Sequence, residues 1–112
     1  MSKTIIGGIL TGDETPEETI ALKKASINKE TTQKILYGVE YKDVKFYLTR
    51  ENQSNFAELD RLRNELTYPF EVWCGDNSVF IQDTTEMHQF YMLGMQYIQT
   101  CLSEGKAERD AL

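Results

Sequence analysis

The strongest pattern in the sequence is an apolar stripe near the C-terminus, and it predicts one long helix at the centre of the fold. Apolar or small residues recur there every three or four positions, at Met87, Phe90, Tyr91, Gly94, Ile98, Cys101 and Leu102. This spacing places side chains along one face of an α-helix. Asp83 with Glu86 three residues later is typical of a helix start. Gly105 indicates a stop, after which the charged tail from Lys106 to Asp110 either frays or adds another turn.

Glycine in the middle of this stripe is costly, at about 1 kcal/mol relative to alanine in a helix. Gly94 therefore predicts that another element approaches the backbone of the core helix closely. Two elements are candidates for that approach: the segment that carries Trp73, and a second helix through Leu59 and Leu62.

The residues before the core helix predict two β-hairpins with a helix between them. Strand-forming residues flank Lys42-Asp43, and others flank the turn formers Gly75-Asp76-Asn77-Ser78. Between the hairpins, Thr49 begins a helix whose apolar positions are Phe56, Leu59, Leu62 and Leu66. The aromatic residues of these segments, Trp73 included, are expected at core positions.

A long first helix is predicted for residues 15–37. Thr15-Pro16-Glu17-Glu18 has the form of a capping box with proline at the first helical position, and Gly38 is suited to end the helix. The apolar stripe is narrow, because Ile20 and Ile27 recur at a spacing of seven. Such a helix either lies solvated across the body or pairs with its own copy. The second alternative is favoured, and it predicts a homodimer or a trimer with Ile20 and Ile27 in the interface.

Residues 1–14 form a predicted N-terminal arm. Its apolar residues are Ile5, Ile6, Ile9 and Leu10, interrupted by Gly7-Gly8. This segment is too short for a signal-peptide core or a membrane span. It is either an edge strand or a docking arm for another protein, and the two alternatives remain open.

The predicted order is helix, hairpin, helix, hairpin, helix, which is an α+β fold. A long N-terminal helix precedes two β-hairpins that form a small antiparallel sheet, packed with two further helices. The predicted organisation is therefore an N-terminal arm over 1–14, a helix for oligomerisation or docking over 15–37, and an α+β body over 38–112.

Charge and composition exclude several classes of function. Eighteen Asp and Glu against twelve Lys and Arg give a net charge of −6, which disfavours binding to nucleic acid or to an anionic membrane. Two cysteines and one histidine cannot supply the four ligands of a structural zinc site. No metal ion and no cofactor are predicted, and the cytosol is the expected setting.

No set of residues predicts catalysis. His88 is expected at a helix surface or core edge, with no nucleophile beside it in sequence. Cys74 and Cys101 are expected to pack as small apolar side chains, and a disulfide between them remains open. The protein is therefore predicted not to be an enzyme.

The pattern of structural residues resembles a domain found in tailed phages beside or within tail-fibre and other virion genes. The segments that carry the resemblance are Lys24 to Tyr41, Phe46-Tyr47-Leu48-Thr49 with Gln53-Ser54-Asn55-Phe56, Leu66-Thr67-Tyr68-Pro69, and Trp73-Cys74-Gly75-Asp76-Asn77. The resemblance implies a virion component and no catalytic residue. The body shows no acidic-aromatic tip of the kind that indicates direct glycan binding.

These observations predict a small fibre or fibre-adaptor subunit of a phage tail or head. It is expected to self-associate, to dock on a neighbouring virion protein such as a fibre, capsid or portal component, and to be assembled in the bacterial host cytoplasm. The alternative is an acidic phage-encoded regulator or inhibitor that binds a host protein, because acidic charge suits mimicry of nucleic acid.

Overall fold

A computed structural model describes residues 16–112 and confirms the α+β fold class. The predicted docking residues Ile5, Ile6, Ile9 and Leu10 lie outside the described residues. The elements in chain order are α1 (Pro16–Tyr37), β1 (Val39–Tyr41), β2 (Val44–Phe46), α2 (Arg50–Arg61), a short 3₁₀ helix (Arg63–Glu65), β3 (Phe70–Cys74), β4 (Asn77–Ile81) and α3 (Thr84–Asp110).

Hairpin 1 (β1 and β2) and hairpin 2 (β3 and β4) are each closed by a two-residue turn. Lys42 and Asp43 join β1 to β2 with φ values of 50° and 65°, as a type I′ turn requires. The β3–β4 turn is shorter than the sequence suggests, because Cys74 pairs directly with Asn77. The hairpins form two separate two-stranded antiparallel sheets rather than one small sheet.

The core is built around aromatic rings from three elements. Phe90 of α3 is only 4% exposed and makes edge-to-face contacts with Tyr41, Phe46 and Phe56, at centroid distances of 5.3, 5.0 and 5.3 Å. Because these partners come from hairpin 1 and α2, Phe90 joins both elements to the core helix.

The apolar stripe of α3 faces this core, as predicted. Met87, Phe90, Gly94, Ile98 and Cys101 are buried. Leu102, at the edge of the stripe, is exposed. The helix does not stop at Gly105; it continues to Asp110, since the tail packs on α1.

Gly94 is buried as expected, but the reason inferred for the glycine is wrong. A Cβ at position 94 would lie 3.5 Å from Leu48 Cδ2, which is an ordinary van der Waals distance. No atom of Trp73 or of α2 lies within 4 Å of that Cβ. A cavity of about 20 Å³ lies beside it. Backbone approach therefore does not require glycine here.

Candidate interaction surface: the helical stalk

Helices α1 and α3 pack antiparallel and form an elongated stalk beside the body. Tyr97 donates to the carbonyl oxygen of Lys34 at 2.6 Å, and Arg109 Nη1 donates to Asn28 Oδ1 at 2.7 Å. From the first contact to the second, the residue number falls in α1 and rises in α3, so the two helices run in opposite directions. The described residues accordingly extend 69 × 28 × 21 Å.

The two helices approach each other closely at Thr31 and Gly105. Thr31 is the only buried residue described in α1, and Gly105 is buried in α3. A Cβ at position 105 would overlap the Thr31 hydroxyl and lie 3.4 Å from Thr31 Cβ. Gly105 thus permits helix packing, a role that the sequence analysis had assigned to Gly94. Gly105 itself is the available signal in the sequence, but a glycine near the end of a helical stripe is also typical of a helix stop.

We expect Gly105→Ala to lower the free energy of unfolding by about 1–2 kcal/mol, because overpacking exceeds the gain in helix propensity. Gly94→Ala is the matched control and should be stabilising by up to about 1 kcal/mol. Urea unfolding measures both. In a Thr31→Ala background, Gly105→Ala should no longer lower the free energy of unfolding. If Gly105→Ala stabilises the protein with Thr31 present, the close approach of the two helices is contradicted.

The N-terminal part of α1 extends past the end of α3. Pro16 lies about 22 Å along the helix from Thr31, whereas Asp110 lies only about 8 Å from Gly105. The overhang, defined as residues 16–25, therefore projects by about 15 Å. It carries Ile20, which is 38% exposed, and Leu22, which is 60% exposed.

The two predicted interface residues occupy different positions on the stalk. Ile27 lies one turn before Thr31, on the face of α1 that contacts α3, and it is half-buried within the chain. Ile20 continues the same face one heptad earlier, beyond the end of α3. Of the two residues predicted to lie in an interface between copies, Ile27 is thus used in packing within the chain, and Ile20 is the exposed one.

A polar cluster fastens hairpin 1 to the start of α3. Glu86 Oε2 accepts from the Tyr41 hydroxyl at 2.5 Å and contacts Lys42 Nζ at 2.8 Å, while Glu86 Oε1 accepts from the Gln82 N–H at 2.7 Å. Asp83 caps the helix as predicted, because its Oδ1 accepts from the Glu86 N–H. Burial and Glu86 together raise the pKa of Tyr41 to about 12.

Glu86 makes the stability of this junction depend on pH. Burial opposes ionisation of its carboxyl, but the hydrogen bonds from Lys42, Tyr41 and Gln82 outweigh burial and lower the pKa from 4.5 to about 2. A carboxyl whose pKa is lower in the folded state stabilises the fold above its unfolded pKa, and this contribution is lost as the pH falls.

We therefore expect the free energy of unfolding to fall by about 2 kcal/mol from this carboxyl alone between pH 5 and pH 2. Glu86→Gln should flatten the profile over that range, as measured by urea unfolding at each pH. Glu51→Gln is the control, since Glu51 is exposed and has no ion pair within residues 16–112. An unchanged slope in Glu86→Gln would contradict the assignment.

His88 makes a polar contact between α3 and α2. Its Nδ1 lies 3.0 Å from Oδ1 of the buried Asp60, and Arg63 Nη1 lies 3.4 Å from the same oxygen. Within residues 16–112, no hydroxyl or thiol is hydrogen-bonded to His88. The contact orients the imidazole at the surface. Sequence reasoning missed it because the two residues are 28 positions apart.

The remaining candidate groups are separated in the fold. Cys101 is buried, Cys74 is half-buried, and both are free thiols, which answers the open question of a disulfide. The described part of the chain contains no group of three or more His, Cys, Asp or Glu side chains arranged to hold a metal ion. None of the helices within residues 16–112 combines the length and apolar character needed to cross a membrane.

Comparison with known proteins places the chain in a family. The model of a domain of unknown function, DUF4376, matches residues 18–112. The chain belongs to the DUF4376 family. The match includes α1 from its third residue, both hairpins and α3, so the stalk and body lie within the family domain. No curated protein and no solved structure matches the chain.

Proposed function

We propose that this DUF4376 protein is a non-enzymatic structural subunit of a phage virion, a small fibre or fibre adaptor of the tail or head. It self-associates through the stalk and docks on a neighbouring virion protein. Virion assembly in the bacterial host cytoplasm follows from this proposal. The support is the elongated shape of the described residues and the sequence resemblance to a phage domain.

The overhang of α1 is the observation that supports self-association. A helix of this length is marginal in water unless it packs on another element, and α3 ends before the overhang begins. Ile20 therefore presents an apolar side chain that a second copy can cover. Two copies related by a twofold axis would bury each overhang against the stalk of the other.

Docking on the neighbouring protein is assigned to the N-terminal arm. Ile5, Ile6, Ile9 and Leu10 lie within eleven residues of the start of the overhang, so the arm and the self-association surface are close together in the sequence. Short apolar segments of this kind bind by adding to a partner's sheet edge or filling its groove.

We expect the purified protein to be a dimer, or else a trimer, in light scattering at micromolar concentration, and Ile20→Asp to convert it to monomer. Ala21→Asp is the matched control, since it adds the same charge next to Ile20 but points about 100° away around the helix. Ile27→Asp is a poorer test, because Ile27 also packs within the chain. A monomeric wild type would contradict self-association.

The virion location has its own test. Mass spectrometry of purified particles should detect the protein at a fixed ratio to the major structural proteins. Its absence from particles would favour the second candidate, an acidic regulator of a host protein, for which the net charge of −6 is the supporting observation.

A further inference from the structure

The outer face of hairpin 2 carries aromatic side chains that the core does not use. Strand alternation turns Val72 and Val79 inward, so Trp73 and Phe80 face outward. Trp73 is 57% exposed and Phe80 is 49% exposed. The expectation that the aromatics fall at core positions is therefore wrong for these two residues. Because the Trp73 ring makes no aromatic or cation contact in the described chain, its exposed face is available to a ligand.

Trp73 forms one wall of a groove between β3 and α2. The groove has a volume of about 320 Å³, which is in the range of small-molecule sites. Its polar lining residues are two amides and a carboxylate from α2 and a carboxylate from β3: Asn52, Asn55, Glu58 and Glu71. No lysine or arginine lines it. Asn52 and Asn55 lie about 20 positions before Trp73, so no local sequence pattern shows that they share a groove with it.

The rim offers hydrogen-bonding capacity that the fold leaves unused. The Asn55 side chain makes no hydrogen bond within residues 16–112. Asn52 donates to the carbonyl oxygen of Tyr47 at 2.8 Å, which leaves its side-chain oxygen as an acceptor. Glu71 Oε2 accepts from the Ser78 hydroxyl at 2.6 Å, which leaves Oε1. The groove thus presents both donors and acceptors beside an aromatic face.

We propose that this groove binds a neutral sugar, with a pyranose ring stacked on Trp73 and its hydroxyls bonded to Asn55 and Glu71. One face of a pyranose presents C–H groups with partial positive charge, which suit the negative face of an indole ring. Its hydroxyls both donate and accept, as the side-chain amide of Asn55 does.

Charged ligands fit the groove less well. An anion would meet Glu71 and no cationic side chain. For a cation, Glu58 is already paired with Arg61, which leaves Glu71 as the single carboxylate of the groove without an ion pair. This site is separate from the stalk, so sugar binding and self-association can succeed or fail independently.

The sole tryptophan of the chain makes the test direct, since intrinsic tryptophan emission reports on Trp73 alone. The probes are the methyl glycosides of glucose, galactose, mannose and N-acetylglucosamine, titrated into the full chain. We expect at least one to change the emission saturably in the millimolar range. Asn55→Ala should weaken that binding at least tenfold, whereas Asn64→Ala, an exposed asparagine outside the groove, should leave it unchanged.

Saturation-transfer NMR of the same glycosides gives a second readout, in which Trp73→Ala should abolish the signal. No saturable response to any of the four glycosides would overturn the proposal. So would a response to lysine methyl ester that exceeds every sugar response, or sugar binding that survives both Asn55→Ala and Trp73→Ala.

Discussion

Replacing Phe90 by alanine is expected to lower the free energy of unfolding by about 3–5 kcal/mol. The ring is 4% exposed and contacts aromatic residues of hairpin 1 and α2. Its removal leaves a cavity where three elements meet, and the surroundings cannot collapse without separating them. For a domain of this size, such a loss is a large part of the total stability.

Urea unfolding followed by circular dichroism measures this effect. Tyr47→Ala is the control, because Tyr47 is also aromatic and follows hairpin 1, but its side chain is exposed. Its cost should stay within about 0.5 kcal/mol. Equal costs for the two variants would show that the aromatic cluster is not the core.

Replacing Gly38 by alanine is expected to cost about 2–5 kcal/mol, from a backbone strain and a steric overlap that add together. Gly38 has a φ of +82° at the end of α1, where a side chain is disfavoured. A Cβ there would also overlap the Phe46 carbonyl oxygen and lie 3.0 Å from Tyr47 Cα. Because these neighbours are backbone atoms, hairpin 1 would have to move away from the stalk.

Gly75→Ala separates the two contributions. Gly75 has a φ of +63°, but nothing lies within 4 Å of a Cβ built there. Gly75→Ala should therefore lower the free energy of unfolding only by the backbone-strain contribution, about 1–2 kcal/mol. If Gly38→Ala costs no more than Gly75→Ala in urea unfolding, the close contact between Gly38 and β2 does not contribute to stability.

The self-association and sugar-binding proposals make different demands on the molecule. The first uses the overhang of α1, and the second uses the groove beside Trp73. Ile20→Asp should therefore leave the emission response to methyl glycosides intact, and Asn55→Ala should leave the oligomeric state intact. This independence allows each proposal to be judged by its own experiment.

Local patterns in the sequence determined the element order and much of the core. The capping pairs, the positions that favour turns and the stripe through Phe90 act over a few residues, so they can be read without knowing what packs against them. Thr49 and Asp83 cap α2 and α3 as predicted, and Gly38 ends α1 in the left-handed conformation.

Tertiary structure alone decided which glycine is needed for helix packing and which aromatic residues reach solvent. Gly94 and Gly105 lie on one face of α3, and only the position of Thr31 on α1 distinguishes them. Trp73 alternates correctly for a strand, but the face it occupies became the outer one because Val72 and Val79 pack on the core. These outcomes depend on contacts between residues distant in sequence, whose pairing no local pattern encodes.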